Sequence, residues 1–127
     1  MEHVAIDDLK NLVQQGPDHA FRPFAYYDKH LDCIRVQLFD CSFTEKRLNR
    51  FLTVLHANHR EGEPNAGFNI KGVRSLFERM GLSATGVVKL TVLIDKLVQF
   101  YPDAAVEAVK RQFRPVLGEE DLEVSLA

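Results

Sequence analysis

The chain has no tryptophan and only two cysteines, Cys33 and Cys41, among its 127 residues. So few cysteines cannot form the disulfide framework of a small secreted domain, and we expect reduced thiols in a cytoplasmic protein. A long hydrophobic run is also missing, because three charged residues interrupt the longest apolar stretch, residues 87–100. That stretch falls short of the ~20 residues that cross a bilayer, so no membrane segment is expected.

A large excess of charge of one sign is absent as well. The 16 Lys and Arg residues oppose 18 Asp and Glu residues, which gives a net charge of −2 and a pI near 6.2. This balance provides no general attraction to phosphate backbones or anionic lipid, although it allows a local basic face. Export is not expected, since Glu2, Asp7 and Asp8 stand where a signal peptide has a basic start and an apolar run.

The composition that remains is that of a globular protein, with 46% hydrophobic and 27% charged residues. The length suits one domain over residues 1–127, with a core that needs no disulfide or metal to hold it together. Neither an internal repeat nor an interdomain linker is visible in the sequence.

The first third of the chain predicts a helix followed by a β-hairpin. The helix stops at Gly16–Pro17, and its apolar residues at helical spacing are Ala5, Ile6, Leu9, Leu12 and Val13. Residues 24–27 are aromatic and favour a strand. In residues 33–39 apolar and polar side chains alternate, as in a strand that is buried on one face.

A second helix is predicted to end at about residue 58. Ser42 with Glu45 three positions later forms a capping box, and Thr44 is an alternative N-cap. The apolar residues that would share one face of this helix are Leu48, Phe51, Leu52 and Leu55. Residues 60–67 consist of turn-forming residues and predict a loop.

Residues 68–71 predict a short strand, and residues 73–80 predict a helix with one continuous apolar face. Gly81 can adopt the left-handed conformation that closes this helix. Ser83 or Thr85 then caps the next helix, whose apolar residues continue to position 101.

Asp103 caps a further helix, which Pro115 closes, and the alternation in residues 122–126 predicts a final strand. The predicted order of elements is therefore α-β-β-α-β-α-α-α-β. Mixed elements without regular βαβ alternation predict an α+β domain, with a small and mostly antiparallel sheet packed by helices.

Residues 73–101 have the layout of a helix-turn-helix corner, which makes nucleic-acid binding the alternative prediction of function. The second helix, however, would expose Thr91, Asp95 and Gln99 rather than a row of Arg and Lys donors. The basic residues that could contact a nucleic acid are Arg47, Arg50, Arg74, Arg79 and Lys89.

Two cysteines followed by two histidines form the ligand set of a structural zinc site, and the predicted helix would bring His56 and His59 together at its end. The seven residues between Cys33 and Cys41 exceed the spacing of about two to four found in tight zinc knuckles. We therefore expect no metal and no other cofactor.

Cys41 comes directly before the predicted second helix, where the helix dipole would lower a thiol pKa. His30, His56 or His59 could act as its base if the fold brought them together. No nucleophile signature surrounds Cys41 in the sequence. A small thiol- or metal-dependent enzyme is therefore the third prediction, and catalysis is not the expected activity.

The helix predicted to end at residue 101 is apolar on more than one face, because Val88 and Val92 project away from its main stripe. Such a helix lies at the centre of its domain or is covered by a partner. We predict a non-enzymatic binding or regulatory module that acts through a protein partner or through self-association, for example as a homodimer.

Overall fold

The computed structural model describes residues 21–58 and 65–127. In these residues the chain forms seven strands and three helices. The strands are β1 (Phe24–Asp28), β2 (Cys33–Gln37), β3 (Phe43–Arg47), β4 (Leu52–Ala57), β5 (Gly67–Lys71), β6 (Val87–Lys89) and β7 (Glu123–Ser125). The helices are α1 (Val73–Arg79), α2 (Leu90–Phe100) and α3 (Ala104–Glu120). The helix predicted before Gly16 lies outside the described residues.

Five strands form one antiparallel sheet in the order β1-β2-β5-β4-β3, and β6 pairs with β7 in a separate two-stranded ribbon. Strands β3, β4 and β5 follow one another as a meander, and the β1–β2 hairpin adds to the meander along β5. Residues of all three helices share one buried cluster with the strands. The predicted α+β class, with a small and mostly antiparallel sheet packed by helices, is therefore confirmed.

The core lies between the helices and the alternate strand residues that face them. On β2 and β5 these residues have 0% exposure, and they are Ile34, Val36, Phe68 and Ile70. From α3, the ring of Phe113 lies 5.1 Å from the ring of Phe68. Complete burial of such a side chain contributes ~1.5–3 kcal/mol, so this contact stabilises the packing of α3 on the central strand.

A charged clamp joins the polar sides of α2 and α3. The carboxylate of Asp95 accepts hydrogen bonds from Arg114 Nε at 3.2 Å and Nη2 at 3.0 Å, and it lies 3.6 Å from Lys110 Nζ. Lys110 and Arg114 are one helical turn apart, so both reach the same carboxylate. None of the helices in residues 21–58 and 65–127 is long and apolar enough to cross a membrane.

The helix predicted to end at about residue 58 is wrong, because the chain forms β3 and β4 there. Asn49 turns the chain between the two strands: its Oδ1 accepts the N–H groups of Phe51 and Leu52 at 2.9 and 2.7 Å. Most of β4 is buried on both sheet faces, so its apolar residues do not alternate with polar ones. The apolar residues of this segment therefore have the spacing of one face of an amphipathic helix, which led to the wrong prediction.

The helix predicted at residues 73–80 is confirmed as α1, and its closing glycine behaves as predicted. Gly81 has a positive φ of 70°, and its N–H donates to the carbonyl of Glu78 at 3.2 Å. The N–H of Leu82 donates to the carbonyl of Phe77 at 2.8 Å. Together these two hydrogen bonds form a Schellman C-cap.

The helix-turn-helix layout predicted for residues 73–101 is wrong. Ser83 and Thr85 cap no helix; their hydroxyl oxygens lie 2.8 Å apart, and β6 follows them. Val88 of β6 pairs with Val124 of β7, and α2 begins only after β6. Pairing with a distant strand has overridden the helical preference of the local sequence.

Asp103 caps α3 as predicted, since its Oδ1 accepts the N–H of Val106 at 2.8 Å. The prediction that Pro115 closes the helix is wrong, because α3 continues to residue 120. A proline inside a helix costs ~3 kcal/mol. The extra turn places Leu117 in the core at 0% exposure, which offsets part of that cost. The predicted final strand is confirmed as β7.

One close backbone approach shapes the five-stranded sheet. The N–H groups of Leu38 and Phe39 both donate to the carbonyl of Ala66, at 2.7 and 3.1 Å, so β2 ends in a bulge beside the start of β5. Next to this bulge, a Cβ on Gly67 would clash with the carbonyl oxygen of Val36 and lie 2.9 Å from its carbon. The missing side chain lets β2 and β5 approach each other where the sheet bends.

We expect Gly67→Ala to lower the free energy of unfolding by ~1–3 kcal/mol, because its methyl group would overlap the Val36 carbonyl. Gly118→Ala is the matched control: its Cβ would meet Arg114 Nη1 at 3.8 Å, and alanine is better than glycine in a helix by ~0.5–1 kcal/mol. Urea denaturation of both variants measures the two opposite changes. An unchanged stability of Gly67→Ala would contradict the close approach.

The clamp between α2 and α3 predicts a loss of stability in acid. Hydrogen bonds from Arg114 lower the pKa of Asp95 below its usual value, and partial burial opposes this effect. The folded-state pKa is the lower one, so the contribution is complete above the unfolded-state pKa and is lost as the pH falls through the folded-state value. Asp95→Asn should therefore flatten the dependence of unfolding free energy on pH below about pH 4. If the unfolding free energies of wild type and variant depended on pH in the same way, ionisation of Asp95 would not contribute to the stability of the fold.

Candidate functional site

The sheet face that points away from the helices carries a row of polar side chains across all five strands. Strand register places five residues of this row side by side: Tyr26, Arg35, Asn69, Thr53 and Arg47. The next row toward the bulge consists of Phe24, Gln37, Gly67, Leu55 and Glu45. At its centre Thr53, Leu55 and Asn69 are buried, at 3%, 4% and 1% exposure, whereas the residues of these rows on the edge strands β1 and β3 are exposed. We call this surface the open face.

The open face is concave. Arg35 on β2 and Glu45 on β3 form an ion pair, with 3.6 Å between Nη1 and Oε1, although β5 and β4 lie between their strands. Phe24 and Phe43 stand on the opposite edge strands β1 and β3, which a flat sheet would hold ~19 Å apart, yet both line one cleft of about 140 Å³. Asn69 on β5 donates its amide to the same Glu45 oxygen at 2.9 Å. The strands therefore curve toward one another over this face.

A cleft of about 140 Å³ lies in the open face. Its aromatic rim consists of Phe24, Tyr26 and Phe43, which are 41%, 47% and 37% exposed. The rings of Phe24 and Tyr26 are stacked, with 6.2 Å between centroids and an interplanar angle of 23°. The floor includes Arg35, Glu45 and Asn69. The cleft thus combines exposed rings with a preformed polar network.

The polar floor is internally neutralised. Arg35 balances the charge of Glu45, and Asn69, which is 1% exposed, has its amide nitrogen bonded to that carboxylate. Both charged side chains are partly solvated, at 32% and 46% exposure, so their pair contributes at most ~1 kcal/mol to stability.

The volume of the cleft limits what it can hold. Small-molecule sites usually measure ~300–1,000 Å³. A cavity of ~150 Å³ holds a benzene-sized group, so this cleft fits one ring or one side chain.

A second depression of about 530 Å³ lies over α2 and α3, between Val98, Glu107 and Arg111. The cations Lys110 and Arg114 on its wall are bound to Asp95. Because no aromatic ring lines this depression, we regard the open face as the better candidate.

The residues predicted for a zinc site are not brought together as one ligand set in the described part of the chain. Cys33 is buried on β2, Cys41 lies between β2 and β3, and His56 is on β4, where its Nδ1 lies 3.2 Å from Asn65 Oδ1. His59 lies outside the described residues. Within residues 21–58 and 65–127 no group of three or more Cys, His, Asp or Glu could hold a metal ion.

The predicted helix directly after Cys41, which was the reason to expect a reactive thiol, is wrong. The segment after Cys41 is β3, so no helix dipole acts on its thiol. Burial raises the pKa of the other thiol, Cys33, which keeps it protonated and weakly nucleophilic. In residues 21–58 and 65–127, neither cysteine stands at the start of a helix.

Of the five basic residues predicted for nucleic acid, Arg47 and Arg50 lie together at the β3–β4 turn. The guanidinium of Arg47 donates to the carbonyls of Asn49 and Arg50, at 3.1 and 3.4 Å. Lys89 is on β6, where it pairs with Asp121 at 3.4 Å. The remaining two, Arg74 and Arg79, stand at opposite ends of α1.

The two residues predicted for a protein partner differ in exposure. Val88 is on β6 and is partly buried against the core cluster. Val92 is on the first turn of α2 and is 47% exposed, so the helix is not buried all round. Val92 therefore remains a candidate contact residue, whereas Val88 belongs mainly to the fold.

Sequence reasoning missed the aromatic rim and the polar floor of the cleft. The alternation of Phe24 and Tyr26 along β1, and of Arg35 and Gln37 along β2, did carry a signal of a polar and aromatic sheet face. Phe43 fell within or beside the predicted helix, so its place on the same face could not be recognised.

Comparisons of the chain with protein-family models, with curated proteins and with solved structures found no match. No relative therefore supplies a function. The case for the open face rests on its own geometry and charge.

Val92→Glu tests the predicted contact on α2. Because Val92 is 47% exposed in one copy of the chain, the carboxylate stays solvated there and the fold should persist, with unfolding free energy within about 0.5 kcal/mol of wild type. If two copies associate through α2, the variant should sediment as a monomer while wild type sediments as a dimer. Gln99→Glu, at the far end of α2, controls for the added charge. Unfolding of Val92→Glu would show that this position is buried.

Proposed function

We propose that the protein is a non-enzymatic binding module and that it recognises its ligand on the open face. The observation that carries this proposal is the cleft, in which three exposed aromatic rings surround an organised polar floor. Aromatic side chains are normally buried, so several exposed rings grouped around a cleft are typical of a binding surface.

The residue types of the open face support binding. Tyr and Arg are enriched among the residues that dominate binding energy, and here Tyr26 and Arg35 face each other across β1 and β2. The ring of Tyr26 is held by Phe24, and the guanidinium of Arg35 is held by Glu45. A ligand therefore meets side chains that have already lost much of their freedom, which reduces the entropic cost of association.

The cleft also limits what the ligand can be. Its volume of about 140 Å³ admits one ring-sized group, so any larger ligand must lie partly outside, along the face. The proposal therefore keeps the class of function predicted from the sequence, a non-enzymatic binding module, and places the contact on the sheet. A homodimer through α2 stays a separate prediction, which Val92→Glu addresses.

Ring-sized probes test this proposal directly. We expect indole, phenol and uridine at millimolar concentration to shift the NMR signals of the Asn69 side-chain amide and of Arg35 Nε. Tyr26→Ala and Phe43→Ala should each weaken this binding by about 2–12-fold, the loss expected for one aromatic contact of ~0.5–1.5 kcal/mol.

Val92→Ala serves as the matched control, because it removes an exposed apolar side chain from α2 and should leave probe binding unchanged. Signal changes confined to α2, or equal affinities in wild type and in Tyr26→Ala, would contradict a site on the open face.

A further inference from the structure

The net charge of the chain hides an uneven distribution. Residues 21–58 and 65–80, which form the five-stranded sheet and α1, contain nine Lys or Arg and five Asp or Glu, a net charge of +4. Residues 81–127 contain five Lys or Arg and seven Asp or Glu, a net charge of −2. The part of the molecule that bears the cleft is therefore basic, although the whole chain is slightly acidic.

Three of these cations meet at one end of the open face. The backbone N–H of Lys71 donates to the carbonyl of Phe51 at 2.7 Å, so the end of β5 lies against the β3–β4 turn. Arg47 and Arg50 stand at this turn, joined by the hydrogen bond between the Arg47 guanidinium and the Arg50 carbonyl. All three side chains are exposed. We call Arg47, Arg50 and Lys71 the basic end.

The carboxylates at this end of the sheet are occupied by the fold. Asp28 accepts the N–H groups of its own turn, and Asp32 accepts the Tyr27 hydroxyl at 2.6 Å and the N–H of Arg74. Asp103 caps α3 and accepts the Asn49 amide. Among residues 21–58 and 65–127, no ion pair includes a member of the basic end. These carboxylates keep their charge, but none of them is bonded to the three cations, whose exposed charged groups can contact an anionic ligand.

The basic end and the cleft are neighbours on the same sheet face, with the buried Thr53 and Asn69 between them. Arg47 belongs to the same transverse row as Tyr26, Arg35 and Asn69, and Lys71 is two residues from Asn69 on β5. Residues two apart on a strand are separated by ~6.6 Å. A ligand that fills the cleft with a ring can thus reach the cations with groups attached a few ångströms away.

We propose that the open face binds single-stranded nucleic acid, with one base in the cleft against Phe24, Tyr26 and Phe43 and with phosphates on the basic end. This inference rests on the proposed function and names the ligand class for the same site. Bases stack on aromatic side chains regardless of their identity, and a basic groove follows the phosphates. The floor adds amide and carboxylate groups that can bond the edge of a base.

Other polyanions fit the observations less well. Bases in a duplex are stacked inside the helix, so they cannot enter a cleft of about 140 Å³. An acidic polypeptide would satisfy the cations of the basic end, but it would need an aromatic or apolar residue at the right distance to fill the cleft, whereas every nucleotide carries a base and a phosphate together. Single-stranded nucleic acid accounts for the rings and for the charge together.

Fluorescence anisotropy of the full chain with a labelled 12-nucleotide oligouridine tests the inference. We expect micromolar binding at 50 mM salt and weaker binding to a 12-base-pair duplex. With about three phosphate contacts, raising the salt from 50 to 200 mM should weaken binding about 20-fold, because each contact adds ~0.7 to the log–log slope for single strands.

Two variants separate the two halves of the site. Tyr26→Ala should weaken oligouridine binding about tenfold with an unchanged salt slope, because it removes stacking and no charge. Lys71→Gln should reduce the slope by ~0.7, the value for one phosphate contact. Arg111→Gln is the matched control, since it removes an exposed cation from α3 and should change neither quantity.

Three results would overturn the inference: no binding at 50 mM salt, equal affinity for the duplex, or a salt slope that Lys71→Gln leaves unchanged. Equal competition by a 12-residue polyglutamate would show that the basic end serves an acidic protein segment instead. If oligouridine fails while ring probes still shift the Asn69 amide, the binding module stands and the nucleic-acid ligand is excluded. If ring probes fail as well, the proposed function falls with it.

Discussion

The backbone contact between β2 and β5 is the constraint on which the open face depends. A side chain at position 67 would hold these strands apart, because its Cβ would enter the Val36 carbonyl. With glycine there, and with the bulge at Leu38 and Phe39, the sheet bends enough for side chains of β2 and β3 to meet. The aromatic rim and the polar floor exist as one cleft because of this bend.

The acidic and the basic side chains near the sheet have different roles. The carboxylates near the sheet hold turns and helix starts: Asp32, in the β1–β2 turn, accepts the N–H of Arg74 and so caps α1, whose own N-cap residue is Gly72. Within the described part of the chain, the cations of the basic end make no such structural bonds to carboxylates. The net charge of the whole chain therefore gives no sign of this basic surface, which becomes apparent only when the partners of each charged side chain are compared.

The sequence predicted those elements whose signals are local. The hairpin of β1 and β2 follows from alternation, and the end of α1 follows from Gly81. It failed where contacts with distant residues determine the structure: β4 is mostly buried on both sheet faces, and β6 pairs with β7, which lies far along the chain. The cleft could not be predicted for the same reason, since its rim joins residues of β1 and β3 that only the curved sheet brings together.

The ribbon of β6 and β7 has a consequence for the order of folding. The N–H of Leu90, the first residue of α2, donates to the carbonyl of Leu122, and the N–H of Leu126 donates to the carbonyl of Gly86. The first turn of α2 is thus anchored by residues that follow α3, and closing this long loop costs entropy before any contact repays it. During synthesis, α2 cannot acquire its native start until residues 122–126 have left the ribosome. The sheet, whose strands end at Lys71, is free to form well before that point.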